Sequence, residues 1–184
     1  MRILKIFLNY ATATMVMLCD PFNFSLVSIN QLYRPLFMDW RIITVGKPGH
    51  AWVKAALELY WQRLKHHGRF EHIVIKEGSL AQVEAQMTTA SEHSLRVVLD
   101  ERGKQLRSVE LAKWIEKQQI SARKRVSVLI GGADGHSDSF RASADVCWSL
   151  SSLTLQHDVA LVVLAEQLYR AHAILRGEPY HREG

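Results

Sequence analysis

From residue 38 onward the chain alternates short apolar runs with amphipathic segments, and this alternation limits the fold more than any other feature. Asp39–Val45 (DWRIITV) has the length and β-branched content of a strand, and Gly46-Lys47-Pro48-Gly49 ends it. Across Trp52–Leu64, Val53, Leu57, Tyr60, Trp61 and Leu64 fall on one stripe of a 3.6-residue period, which predicts a helix stopped by Gly68. His72–Lys76 reads as a second strand. Ser79 and Gln82 then form an S-x-x-Q capping box that opens a helix to about Ala90. Leu95–Asp100 is a third strand, so continuously apolar that burial on both faces is expected. Ser108 is read as the cap of a helix carrying Leu111, Trp114 and Ile115. Val126–Ile130 is a further strand that runs straight into Gly131-Gly132-Ala133-Asp134-Gly135. A short helical stretch is expected around Phe140–Val146, and a short strand mixed with loop residues over Trp148–Leu155. Val159–Leu175 is apolar almost all round and predicts a central last helix.

Strands alternating with helices imply an α/β fold, a mostly parallel sheet flanked by helices. Ligands of such sheets gather outside the carboxyl ends of the strands. Three segments qualify: Leu99-Asp100, Gly131–Gly135 and Leu150–Leu155. Residues 1–37 stand apart, with no clear helical or strand period. They hold three basic residues and one acidic residue, and only a poor match to a signal peptide. The expectation is an atypical extension outside the fold, with the domain, and the natural protein, starting at Met38 and running to Gly184.

Composition narrows the classes. With 48% apolar and 22% charged residues the chain has a globular balance, which excludes wholesale disorder, collagen and a coiled-coil rod. The formal charge of +5 permits a phosphate-rich partner without demanding one. Cys19 and Cys147 make no disulfide framework, and no histidine or cysteine spacing suits a metal. A reducing, cytoplasmic setting with no metal and no membrane span is expected.

Each motif has a plain interpretation as well as a functional one. The glycine run is neither G-x-G-x-x-G nor a P-loop, and alone reads as a strand-to-helix turn. Ser151, Ser152 and Thr154 alone read as hydroxyls on a half-buried strand. His66 and His67, beside Lys65 and Arg69, read as a solvated helix end. Arg123-Lys124-Arg125 reads as a solvated turn. Glu166 and Arg170 lie one helical turn apart, as a buried ion pair or with Arg170 turned toward a phosphate or carboxylate. The tail places Tyr180, His181 and Arg182 together, either as a frayed terminus or as groups that reach into a site.

VLIGGADG, then WSLSSLTLQH, then LAEQLYRAHAILRGEPYHRE, in that order and spacing, closely resemble the ribosomal RNA large subunit methyltransferase H family of the SPOUT class. The resemblance covers Met38 to the C-terminus. It implies an α/β domain whose C-terminal part is threaded as a trefoil knot, and S-adenosylmethionine as cofactor. Leu99, Gly131, Leu150, Ser151, Ser152, Leu153, Thr154 and Leu155 would line the cofactor. The resemblance further implies a homodimer acting on the 23S rRNA of the assembled ribosome, methylating N3 of a pseudouridine. Tyr180 and His181 would serve proton handling or base positioning, and Arg170 or Arg182 a phosphate. Three residues depart from the family pattern: Gln156 where proline is usual, Leu161 where arginine is frequent, and His136 where an apolar residue is usual. Two alternatives stay open: a non-catalytic RNA- or ribosome-binding factor on the same scaffold, and an enzyme using another nucleotide. The absent G-x-G-x-x-G argues against a dinucleotide.

Overall fold

A computed structural model of the protein describes residues 8–10, 13–20, 23–28 and 38–181. The chain divides into two units, Met1–Leu36 and Phe37–Gly184. In the first, β1 (Leu8–Tyr10), β2 (Ala13–Asp20) and β3 (Asn23–Ser28) form an antiparallel sheet, with Leu8 opposite Met15 and Met17 opposite Leu26. The sequence shows no strand period here. Ladder pairing is made by the backbone and needs no alternation in the sequence.

The second unit contains β4 (Asp39–Val45), α1 (Ala51–Leu64), β5 (Arg69–Ile75), α2 (Leu80–Ala90), β6 (Leu95–Gln105), α3 (Ser108–Ile120), β7 (Arg125–Ile130), α4 (Asp138–Ala142), β8 (Val146–Ser149) and α5 (His157–Leu175). The five strands are all parallel, in the order β5-β4-β7-β6-β8. Successive residues of the inner strands point to opposite faces and build two cores. Trp40, Ile42, Val97, Leu99, Val126 and Val128 pack with α1, α3 and α5 on one face. Ile43, Val45, Val98 and Leu129 pack with Val83 and Met87 of α2 and Phe140 of α4 on the other. Connections through the first face all step one way across the sheet, and those through the second step back. The four crossovers therefore share one hand, as the strong preference for right-handed crossing demands. No residue of α5 is exposed, which explains its apolar circumference.

Several boundaries differ from the sequence expectation. The second strand is Arg69–Ile75, not His72–Lys76. β6 runs on to Gln105 through an irregularity between Leu99 and Lys104, where Gly103 meets the Trp148 backbone so closely that a Cβ would lie 2.4 Å from its carbonyl carbon. Ser108 is not the cap of α3. The Glu110 carboxylate accepts from Arg107 N–H at 2.8 Å, while the Ser108 hydroxyl donates to Gln167 of α5 at 2.7 Å. The short helix lies at Asp138–Ala142, capped by Ser137, and Val146 instead opens β8, which ends at Ser149. α5 starts at His157 because the Gln156 side-chain oxygen accepts from Asp158 and Val159 N–H at 3.1 and 3.3 Å. His67 is not solvated: it is buried, stacked on His172 with ring centroids 5.3 Å apart. Leu161 is buried in the core that α1, α3 and α5 share.

Candidate active site

Beyond Leu99, β6 leads to α3 on one face, whereas its neighbour β7 leads to α4 on the other. Chain leaving adjacent strands in opposite directions opens a crevice at their carboxyl ends. A cleft of about 490 Å³ lies there, lined by Leu99–Arg102, Ile130–His136, Leu150, Ser151, Leu153–His157 and Ala160. It thus gathers all three strand-end segments singled out in the sequence. Leu99, Gly131, Leu150, Ser151, Leu153, Thr154 and Leu155 line it; Ser152 is exposed and does not.

The walls are organised mainly by their own hydrogen bonds. The glycine loop closes on itself, with Gly135 N–H donating to Gly132 O at 3.1 Å and Gly135 at φ +65°. The loop after β8 is folded by serines: Ser149 Oγ donates to Ser151 O at 2.6 Å, and Ser151 Oγ accepts from Leu153 N–H at 2.9 Å. This leaves Leu153 72% exposed at the lip of the cleft, an apolar side chain with nothing of this chain over it. Asp158, buried at the start of α5, accepts from Gly49 N–H at 3.1 Å and sits 3.3 Å from His157 Nε2, which fixes the β4–α1 loop beside the cleft.

His136 lies at the end of the glycine loop, stacked on Phe140 with both ring nitrogens enclosed and without a hydrogen-bond partner. Burial lowers its pKa and holds it neutral.

Arg170 and Tyr180 form a separate group within one chain, and His181 follows Tyr180 in sequence. Arg170 Nε and Nη2 donate to Glu166 Oε1 at 2.9 and 2.7 Å, and the Tyr180 hydroxyl donates to the same oxygen at 3.2 Å. The Arg170 guanidinium lies 4.9 Å from the Tyr180 ring centroid, and Tyr169 meets that ring edge-on at 4.7 Å. Burial, aided by hydrogen bonds with Tyr60 and Glu166, pushes the Tyr180 hydroxyl up to about 12, so at neutral pH it is a donor. The hydrogen bond to Glu166 raises the Arg170 pKa further. Both His181 ring nitrogens are enclosed and without a hydrogen-bond partner. Arg182 lies outside the described residues. Glu166 is nine residues along α5 from His157, or about 14 Å at 1.5 Å per residue. Neither it nor Arg170, Tyr180 or His181 lines the cleft of their own chain.

Sequence reasoning missed Glu101 and Arg141, which bind the cleft segments together. Arg141 lies 41 residues from its partner Asp100, and no local spacing announces such a pair.

A family model described as "Predicted SPOUT methyltransferase" matches residues 38–181. The chain belongs to the SPOUT methyltransferase family. Curated relatives named "Ribosomal RNA large subunit methyltransferase H" include proteins of Deinococcus deserti, 38% identical and covering 79% of this chain and 100% of the relative, and of Geobacter metallireducens, 41% identical and covering 78% and 99%. A Thermus thermophilus protein of the same name is 37% identical over 79% of this chain and 99% of its own. Among solved structures, a probable methylase family protein from Haemophilus influenzae superposes with a TM-score of 0.53 at 10% identity, covering 79% of this chain and 71% of that one. That likeness concerns the fold. Among the described residues of this SPOUT chain, no three His, Cys, Asp or Glu side chains cluster as metal ligands, and no helix is long and apolar enough to cross a membrane.

Proposed function

We propose that this SPOUT methyltransferase uses S-adenosylmethionine to methylate N3 of a pseudouridine in 23S rRNA of the assembled ribosome, working as a cytoplasmic homodimer with a trefoil-knotted C-terminal part. One observation carries the cofactor assignment. The three segments marked by the sequence resemblance converge on one cleft at a switch point of the sheet, and its volume suits a nucleoside-sized ligand. The residues present fit such a group. Leu99, Ile130 and Leu155 offer apolar wall, and Gly131 leaves open the space where a side chain would crowd the loop. The names of the relatives support the substrate.

When bound, the cofactor supplies an electrophilic methyl group. The chain has to hold donor and acceptor in line, an orientation effect worth roughly 7–11 kcal/mol. Gly131–Gly135 and Leu150–Leu155 would fix the donor. The acceptor base must be presented out of its stack, and its N3 proton must leave. Tyr180, as a neutral phenol, would turn its O–H from Glu166 to a base oxygen, His181 would position the base or accept the proton, and Arg170 or Arg182 would meet a phosphate. These groups lie away from the cleft of their own chain, and in the homodimer proposed here a second copy would bring its tail to that cleft. The exposed Leu153 at the lip is the apolar contact that a covering group would bury.

Calorimetry with S-adenosylmethionine and with NAD, combined with transfer of labelled methyl groups to ribosomes lacking the mark, tests this. Binding of S-adenosylmethionine only, with transfer, is expected. Binding without transfer would favour a non-catalytic ribosome-binding factor.

A further inference from the structure

Asp100 and Glu101 are neighbours at the point where β6 leaves its regular register. Asp100 is largely buried, and both its oxygens are taken. Oδ1 accepts from Arg102 N–H at 3.0 Å, and Oδ2 from Arg141 Nη1 at 3.2 Å. The Arg141 side chain is only 12% exposed. Its Nη1 also donates to the His136 carbonyl oxygen at the end of the glycine loop, and its Nη2 pairs with Asp138. Arg141 on α4 therefore grips the end of β6 and the end of the glycine loop with one guanidinium. Glu101 makes the complementary bond: its carboxylate accepts from the Thr154 hydroxyl, in the loop after β8. Two adjacent carboxylates thus tie together the three segments that form the cleft, through the long-range bonds Asp100–Arg141 and Glu101–Thr154.

We propose that Asp100 and Glu101 are positioning residues that hold the glycine loop, through Arg141, and the 150–155 loop, through Thr154, at the spacing the cofactor needs. This rests on the cofactor assignment above. In this arrangement the Thr154 hydroxyl serves the wall and not the ligand, and each Asp100 oxygen accepts one bond from the wall. A guanidinium at Arg141 places two nitrogens in a fixed plane, Nη1 bridging Asp100 and the His136 carbonyl oxygen while Nη2 holds Asp138, whereas an ammonium has one nitrogen to place. Loosening either tie should leave the sheet intact and blur the cleft, since a misplacement of about 1 Å already costs much of an oriented site's effect.

The test uses Arg141→Lys, Thr154→Val, Thr154→Ser and the Arg141→Lys/Thr154→Val pair in the full chain. Backbone amide hydrogen exchange is measured without ligand, and S-adenosylmethionine affinity by calorimetry. Arg141→Lys is expected to speed exchange at Gly131–His136, and Thr154→Val at Leu150–Leu155. Each should weaken cofactor binding and raise its KM about tenfold. Thr154→Ser, which keeps the hydroxyl, should restore both. Unchanged exchange and affinity in both variants would overturn the proposal. So would a uniform loss of protection across the sheet with no rescue by serine, because that marks a merely structural role. A wild-type protein that binds no S-adenosylmethionine, while the variants still loosen their loops, would instead overturn the cofactor assignment and keep the ties.

Discussion

Gly131 turns the end of a buried strand into the cleft, and a Cβ there would lie 2.9 Å from the Gly135 carbonyl oxygen. The obstacle is the loop's own backbone, which cannot swing aside as a flexible side chain would. We expect Gly131→Val to weaken S-adenosylmethionine binding at least tenfold, about 1.4 kcal/mol, while dimerisation persists. Calorimetry with gel filtration checks this, and unchanged affinity would take Gly131 out of the site. His172 gives a different kind of prediction. It is buried against Trp40, Phe70 and His67, and burial pushes its pKa down to about 3 from an ordinary 6.5. The unfolded chain binds a proton there that the folded chain refuses. Stability is therefore full above about pH 6.5 and falls as pH drops toward 3, by up to about 1.4 kcal/mol per pH unit for one such proton. His67 and His136 are shifted in the same direction. Urea midpoints should decline below pH 6.5, and His172→Phe should make the decline shallower; an unaltered slope would mean that His172 titrates freely. The glycine was legible because it follows an apolar strand. The buried histidines were not: His67 follows Lys65 and His66 in sequence, and only the return of α5 over the end of α1 encloses it.

At the scale of elements, α5 and the tail after it separate packing from chemistry. The helix is wedged between its neighbours, and Glu166 on it gathers Arg170 and Tyr180. His181, by contrast, follows the last helix in a segment without strand or helix structure. We expect His181→Ala to keep cofactor affinity and melting temperature near wild type, while single-turnover methyl transfer to ribosomes falls by roughly 10²-fold, the range for a lost positioned acid–base group. A normal rate would mean that His181 takes no part in the transfer, and lost cofactor affinity would place the tail over the cofactor. Recovery at higher pH would indicate proton removal. Element identity was well marked in the sequence wherever a period ran long enough, as in α1 with Val53, Leu57 and Leu64. Element ends were poorly marked where long-range contacts set them. β6 continues past Asp100 because β8 pairs again with Lys104 and Gln105, and α3 begins as it does because Glu110 folds back on Arg107.

At the scale of the molecule, the mostly parallel sheet was readable from alternation alone, whereas the strand order was not. The ties that shape the cleft, Asp100 to Arg141 and Glu101 to Thr154, join residues 41 and 53 apart and become visible only once β6, β7 and β8 stand side by side. The family match begins at residue 38, and the curated relatives pair their nearly complete length with about four fifths of this chain. We therefore expect a chain starting at Met38 to fold, dimerise and methylate like the full one; gel filtration, melting and methyl transfer would reveal any loss. The most direct test of the account as a whole is mass spectrometry of 23S rRNA from a strain lacking the gene, with and without the Met38–Gly184 chain supplied in trans. The account predicts a pseudouridine that lacks its N3 methyl group in the deletion strain and regains it on complementation. An N3-methylated pseudouridine that persists in the deletion strain, or a mark that the chain fails to restore, would contradict it.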